Sequence, residues 1–146
     1  MNNKQNKNFQ IYKHKGKVLA VVVKNSFREK GMTFFTTDKF SQQLAYVAHP
    51  KGAIVKPHIH NRLKRIIFQT QESDIIKKGK AKVILYTETG KFFKTVILRA
   101  GDTILFASGG HGYKVLEDIE LITVKQGPYS GNKDDKKYIE LDTKLL

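Results

Sequence analysis

The two histidines His58 and His60, in the stretch KPHIHNRLKR, are the first residues whose types and spacing suggest chemistry. In an extended strand residues i and i+2 project from the same face, so both imidazoles would point one way and Ile59 the other. Two neighbouring imidazoles can grip one metal ion. In a basic segment the same spacing also suits two solvated side chains, so the pair alone leaves both interpretations open.

Further residues with metal-binding or turn-forming chemistry follow at regular positions along the chain. Gly52 precedes His58 by six residues, and Glu72 precedes Gly79 by seven. The stretch GDTILFASGGH then begins with Gly101 and Asp102 and ends with His111.

This ordered set of residues resembles the motifs of the cupin superfamily. The resemblance rests on the segments GAIVKPHIH, ESDIIKKG and GDTILFASGGH and covers about residues 44–126. It implies an all-β fold, a cupin-type antiparallel jelly-roll barrel with little helix. It also implies a site inside the mouth of that barrel.

By position in those motifs, the resemblance implies one divalent metal ion as the cofactor. Its ligands would be His58, His60, Glu72 and His111. Three imidazoles and a carboxylate suit Fe, Mn, Ni, Co or Zn, and the absence of cysteine excludes thiolate ligands. Gly79 and Gly101 would be turn residues. The spacing departs from the family at two places: eleven residues separate His60 from Glu72 where three or four are usual, and His111 comes one residue early after Gly109, with Ala107 at the position of the family's proline.

Three other residues are candidates for catalysis, each with an alternative. Asp74 shares a strand face with Glu72 and would be an acid, a base or a support for the ligands, or else an ordinary residue at the barrel rim. Gln126 would point into the cavity or simply end a strand before the Gly127–Pro128 turn. Arg65, with Arg62 and Lys64, would bind a carboxylate or phosphate beside the metal, or form a solvated loop.

The elements that must position these residues are nearly all strands. Short β-branched and aromatic segments alternate with turn residues, as in TETGK at residues 87–91, which predicts an antiparallel sheet. AIVKPHIH and RIIFQTQ are predicted strands. SDIIKK and KAKVILYT are predicted as two separate strands, as are YKVL and IELITVKQ, which flank Leu116–Asp118.

Length and composition predict a single domain in a soluble protein. With 146 residues the chain has room for one core, so we expect a mobile basic tail at residues 1–10 and one cupin domain at residues 11–146. No apolar run is long enough to span a bilayer, which predicts a cytoplasmic protein without a membrane partner. The formal charge of +14 is spread along the chain without a nucleic-acid-binding motif, so nucleic acid is not the expected partner.

These observations favour an enzyme that uses its metal to transform a small anionic molecule, as a dioxygenase or as an isomerase or lyase. Two alternatives remain open: a metal-independent cupin similar to sugar-nucleotide ketoisomerases and epimerases, and a non-enzymatic ligand-binding or sensor cupin. Exposed strand edges make a homodimer the expected assembly.

Overall fold

The chain folds into an all-β structure, as the sequence predicts. The computed structural model describes residues 7–131, 135–140 and 145, so the first six residues of the predicted tail lie outside the described part. The strands are β1 (Phe9–His14), β2 (Lys17–Val23), β3 (Gly31–Phe34), β4 (Ala45–Ala48), β5 (Glu72–Tyr86), β6 (Phe92–Arg99), β7 (Thr103–Phe106) and β8 (Gly110–Lys125).

The chain divides into two compact units. One comprises the chain up to Phe27 and from Thr70 onward, and the other comprises Arg28–Gln69. The first unit holds a six-stranded antiparallel sheet in the order β1-β2-β7-β5-β6, with β8 also paired to β5. In the second unit β3 and β4 form an antiparallel pair.

Strand β5 is the centre of the large sheet, because both of its edges are paired along most of its length. Its first half pairs with β7 on one edge and its second half with β6 on that same edge. Strand β8 runs along the opposite edge from one end of β5 to the other.

Chain connectivity requires β5 to curl. Phe106 pairs with Glu72 at the start of β5, and Gly110 pairs with Tyr86 at its end. Fifteen residues in a straight strand would span about 50 Å. The four Cα-to-Cα steps from Phe106 to Gly110 cover at most about 14 Å. Each of these residues lies one strand spacing from its partner on β5, so the two ends of β5 are within about 25 Å of each other. The sheet is therefore a curled antiparallel half-barrel.

A bulge at Gly79 produces part of this curl. The pairing of β5 with β8 shifts register on both sides of Lys78 and again after Lys80. Gly79 has a φ of +82°, and the carbonyl of Asp118 lies where a side chain would be. The predicted turn residue is thus inside a strand: SDIIKK and KAKVILYT form the single strand β5, and YKVL and IELITVKQ form β8. The prediction of separate strands was wrong because a bulge bends a strand without ending its pairing.

Buried side chains lie on both faces of the large sheet. The main cluster consists mostly of β-branched and leucine side chains that alternate along the strands and so share one face. Its buried members are Ala20, Val22, Ile76, Val83, Leu85, Val96, Leu98, Ile104 and Phe106. Tyr12, Phe93, Tyr113, Ile119 and Leu121 pack against this cluster and are partly buried. Leu19, Val21, Ile84 and Leu105, at the alternate positions, are buried as well.

Asp102, in the predicted Gly-Asp pair, is a structural residue of the short connection between β6 and β7. Its buried carboxylate accepts hydrogen bonds from the backbone N–H of Asn25 at 2.9 Å and of Arg99 at 3.0 Å. Lys24 Nζ lies 2.9 Å from Asp102 Oδ2. The carboxylate therefore joins the end of β2 to this connection. The connection also contacts β5 next to its bulge, where Gly101 N donates a hydrogen bond of 2.7 Å to Ile76 O.

The segment after β4 does not form the two strands predicted for it. Residues 53–60 and 65–71 have irregular backbone, and every side chain from 51 to 70 is exposed. A strand needs a hydrogen-bonding neighbour, and within the described part of the chain this segment pairs with none. Pro57 also removes one donor from the middle of the stretch.

Candidate functional site

The centre of the candidate site is the contact between Glu72 and His111, at the end of the half-barrel where β7 ends and β5 and β8 begin; this end is called the mouth below. His111 Nε2 lies 3.6 Å from Glu72 Oε1, with side chains 30% and 21% exposed. Glu72 is the first residue of β5 and His111 the second residue of β8. The curl of β5 brings them together, and both remain accessible to a ligand.

Phe106, the last residue of β7, forms an aromatic wall behind the pair. The His111 imidazole stacks on its ring with centroids 3.7 Å apart and planes 9° from parallel. Tyr113 approaches the same ring edge-on, with centroids 6.2 Å apart. The stack restricts the rotation of His111 and covers one face of its imidazole, so the ring nitrogens at its edge remain available to bind a ligand or transfer a proton.

Asp74 is the most enclosed polar residue of this region, with 1% of its surface exposed. It accepts hydrogen bonds of 2.6 Å from the Tyr113 hydroxyl and of 2.6 Å from the Thr123 hydroxyl. Thr123 is its neighbour across the β5–β8 ladder, whereas Tyr113 pairs with Val83, nine residues further along β5. The carboxylate therefore fastens two distant parts of β8 to the start of β5.

The charges around the site favour ionised Glu72. The interaction with the His111 imidazole is the main cause that holds the pKa of the Glu72 carboxyl below its usual value. Burial has the opposite effect. The positive charges of Lys136 and Lys125 lower the Glu72 pKa further. Burial, followed by the hydrogen bond to Asp74, raises the pKa of Tyr113, so its hydroxyl keeps its proton. The mouth thus presents a carboxylate, an imidazole and two ammonium groups.

Gln126 follows β8 and supports the start of β5. Its side-chain oxygen accepts a hydrogen bond of 2.6 Å from the backbone N–H of Gln71, the residue before Glu72. The Gln71 side chain in turn donates to the carbonyl oxygen of Ala107 at 3.4 Å. Gln126, predicted as a candidate catalytic residue, is thus placed where it positions the backbone next to Glu72.

Lys125 was not predicted, yet it lies at the same mouth as the partner of Glu72 across the ladder. Its ammonium is 3.0 Å from Asp135 Oδ2 and 4.7 Å from the centroid of the Tyr129 ring. Both partners belong to the segment that follows β8. The hydrogen bond to Asp135 is the main cause that raises the pKa of Lys125.

His58 and His60 lie in the second unit, on the exposed segment after β4. Their ring centroids are 5.1 Å apart at an interplanar angle of 77°, so the two imidazoles are neighbours although the backbone is not a strand. His58 Nδ1 is 2.9 Å from the carbonyl oxygen of Lys56. A carbonyl only accepts, so Nδ1 is the donor in this contact and Nε2 is the nitrogen that a ligand could reach.

Arg62, Lys64 and Arg65 are exposed on that same segment, beside large apolar side chains that are also exposed, including Ile59 and Phe68. The chain carries no Asp or Glu between Asp38 and Glu72. The surface of the segment is therefore both apolar and basic.

The structure thus brings together the predicted site residues in two sets. Glu72, Asp74, His111 and Gln126 belong to the first unit, and His58, His60 and Arg65 belong to the second. Among the described residues, no three His, Asp or Glu side chains form a group that could hold a metal ion.

Comparison with known proteins leaves the cupin assignment a prediction. No family model, no curated protein and no solved structure matches the chain. The part of the chain that the structure describes contains no apolar helix of bilayer-spanning length.

Sequence reasoning missed Phe106, Tyr113, Thr123 and Lys125, and the sequence held a signal for only part of this set. Tyr113 is two residues after His111, and Lys125 two after Thr123, so alternation along a strand places each pair on one face. Which of these faces meets Glu72 depends on the curl of β5, which strand alternation does not reveal.

Proposed function

We propose that this protein is a metal-dependent enzyme that binds and transforms a small anionic molecule, as a dioxygenase or as an isomerase or lyase. The observation that carries the proposal is the 3.6 Å contact between Glu72 and His111. These residues are 39 positions apart, and each was selected as a ligand from its own motif. Their meeting at an accessible mouth supports a common chemical role.

The donor atoms of this pair fit a divalent metal. With metal–ligand bonds of about 2.1 Å, two adjacent ligand atoms lie about 3.0 Å apart in octahedral and about 3.4 Å apart in tetrahedral geometry. The Nε2 to Oε1 distance of 3.6 Å needs only a small adjustment. The lowered pKa of Glu72 also keeps the carboxylate in the ionised form that binds a cation.

His58, in the other unit, makes a hydrogen bond typical of metal-binding histidines. Such histidines commonly donate their second N–H to a backbone carbonyl, which orients the ring and leaves the other nitrogen as the ligand. The contact of His58 Nδ1 with the Lys56 carbonyl is of this kind. The assignment of His58 and His60 as ligands stays a prediction from the sequence, and the metal content of His58→Ala tests it.

When bound, such a metal would supply Lewis-acid activation of an oxygen ligand or, if redox-active, reaction with dioxygen. The residues of the chain would orient the ligands and attract the anionic substrate. Phe106 orients His111 and excludes water from one side of it. One carboxylate among four ligands leaves the site positively charged, and the ammonium groups of Lys125 and Lys136 add to the attraction for anions.

Metal analysis of the full chain, purified without added metal, tests this function. We expect about one equivalent of a divalent transition metal per chain, and loss of most of it in Glu72→Ala, His111→Ala and His58→Ala. His49→Ala, an exposed histidine outside the motifs, and Lys64→Ala are the controls that should keep the metal. Equal occupancy in all five variants would refute the ligand set, and circular dichroism verifies that each variant is folded.

A metal-free acid–base enzyme, similar to sugar-nucleotide ketoisomerases and epimerases, is the second candidate. The specific observation in its favour is the His111–Glu72 pair itself, since a carboxylate that orients an imidazole is a common arrangement for a general base. Exchange of a carbon-bound substrate proton with deuterated water that persists after chelator treatment, and disappears in His111→Gln, would support this candidate over the first.

A further inference from the structure

The ammonium of Lys125 has the position expected of a group that receives a charged ligand. It extends from the end of β8, directly across the ladder from Glu72. Its side chain is 25% exposed, so it is partly shielded from water but still open to a ligand. A partly shielded charge interacts more strongly with an oppositely charged group than a fully solvated one does.

The present partner of that ammonium is a carboxylate from the segment after the last strand. Asp135 Oδ2 lies 3.0 Å from Lys125 Nζ, and the Tyr129 ring lies on another side of the ammonium at 4.7 Å. Glu72, the cross-strand neighbour, contacts His111 instead. The carboxylate on Lys125 is therefore separate from the carboxylate proposed as a metal ligand.

The same segment passes close to the residues of the mouth. Ile139 packs directly against Gly110, the residue before His111, and also contacts Gly90. Between Asp135 and Ile139, the charge of Lys136 is near enough to act on Glu72. The segment thus brings one acidic and one basic residue to the entrance of the half-barrel.

We propose that Lys125, flanked by Tyr129, is the site that binds the oxyanion of the ligand, a carboxylate or a phosphate, and that Asp135 is an internal competitor for it. Asp135 places a carboxylate oxygen at hydrogen-bonding distance from the ammonium, which is the position that an incoming oxyanion would take. The inference rests on the proposed function and deepens it, because it names the group that recognises the substrate's charge. It also moves that role from Arg65 to a residue at the same mouth as Glu72 and His111.

Calorimetric titration of the chelator-treated full chain at low ionic strength tests this site with two probes. Inorganic pyrophosphate represents phosphate ligands and malonate represents carboxylate ligands. We expect Asp135→Asn to bind at least one probe about fivefold more tightly than the unchanged protein, since the competitor loses its charge. Lys125→Gln should weaken that binding about tenfold or more. The probe that responds identifies the oxyanion.

Lys78→Gln is the matched control. Lys78 also extends from the large sheet next to an acidic residue, with Nζ 3.8 Å from Glu120, but its side chain is 65% exposed. Its replacement should change neither titration by more than about twofold, as expected for a solvated surface pair.

Unchanged or weaker binding in Asp135→Asn, or unchanged binding in Lys125→Gln, would overturn the proposal. If Lys125→Gln fails to fold, the Asp135→Asn titration decides alone. Metal content distinguishes a failure of this inference from a failure of the proposed metal-dependent function. Both Lys125→Gln and Asp135→Asn should keep the metal content of the unchanged protein. If the protein contains no metal, the anion titrations still test Lys125 and Asp135. If the titrations show no effect, the proposed metal ligands are not affected by that result.

Discussion

Glu72 and His111 are in contact although they belong to opposite ends of the same ladder. Across the β5–β8 pairing Glu72 faces Lys125, whereas His111 faces Leu85, thirteen residues further along β5. Their 3.6 Å separation therefore exists only because β5 curls back on itself. The site and the closure of the half-barrel are one structural feature, so changes that loosen the curl should also separate the pair.

Gly79→Ala should loosen that curl. Gly79 has a φ of +82° and has the carbonyl of Asp118 against it, so a methyl group would strain the backbone and displace β8. We expect a loss of about 2 kcal/mol or more in the free energy of unfolding, measured by urea denaturation. Gly112→Ala is the control, since nothing lies within 4 Å of its position, and it should be close to neutral. Equal stability of the two variants would contradict the bulge.

His111→Gln should raise the pKa of Glu72 toward its ordinary value, because the imidazole is the main cause that lowers it. Carboxyl carbon chemical shifts, followed against pH by NMR, measure this directly. His49→Gln should leave the titration of Glu72 unchanged. An unaltered Glu72 titration in His111→Gln would show that the two side chains do not interact in solution.

The same lowered pKa predicts a pH dependence of stability. Folded Glu72 binds its proton less readily than unfolded Glu72, so the carboxylate stabilises the folded chain above the ordinary pKa of 4.5. This contribution is lost as the pH falls through the lower pKa of the folded state. Urea denaturation of Glu72→Gln and the unchanged protein should therefore differ at pH 7, and the difference should shrink as the pH falls below 4.5 and through the lower pKa of folded Glu72.

Asp74→Ala should destabilise the half-barrel more than removal of either hydroxyl that contacts it. Loss of the buried carboxylate removes the acceptor of two hydroxyls at once, that of the partly buried Tyr113 and that of the exposed Thr123. We expect a cost of about 3 kcal/mol, against about 1–2 kcal/mol for Tyr113→Phe or Thr123→Val, each of which leaves Asp74 one partner. Because Tyr113→Phe keeps the edge-on ring contact with Phe106 and removes only the hydroxyl, a loss in Tyr113→Phe as large as that in Asp74→Ala would contradict the role of the carboxylate as a shared acceptor.

Strand content and antiparallel pairing were predictable because they depend on local residue patterns. The β-branched run of β2 and the TETGK turn after β5 correspond to a buried strand and a hairpin connection. The bulge was not predictable, because a glycine with positive φ serves a turn and a bulge equally well. The sequence pattern therefore predicts the end of a strand at Gly79, whereas the pairing of β5 continues through it.

Motif spacing could indicate that Glu72 and His111 meet, but it could not indicate the contacts that surround them. Motif spacing selected Glu72 and His111 independently, and they meet. Asp135 and Tyr129 contact Lys125 from positions after β8, and no periodic sequence pattern predicts these contacts. His58 and His60 are neighbours, as predicted, although the strand on which that prediction rested is irregular backbone.

Two ion pairs of similar length but different burial provide a last test of what stabilises this fold. Lys24 and Asp102 are 2.9 Å apart with side chains 25% and 7% exposed, whereas Lys17 and Glu88 are 2.7 Å apart and 65% and 43% exposed. Asp102 also accepts two backbone N–H groups where β2 meets the β6–β7 connection. Asp102→Ala should therefore cost about 3 kcal/mol in the free energy of unfolding, since it leaves those donors without an acceptor. Glu88→Ala should cost less than about 1 kcal/mol. Urea denaturation measures both, and a similar cost for the two would show that the buried carboxylate does not anchor this connection.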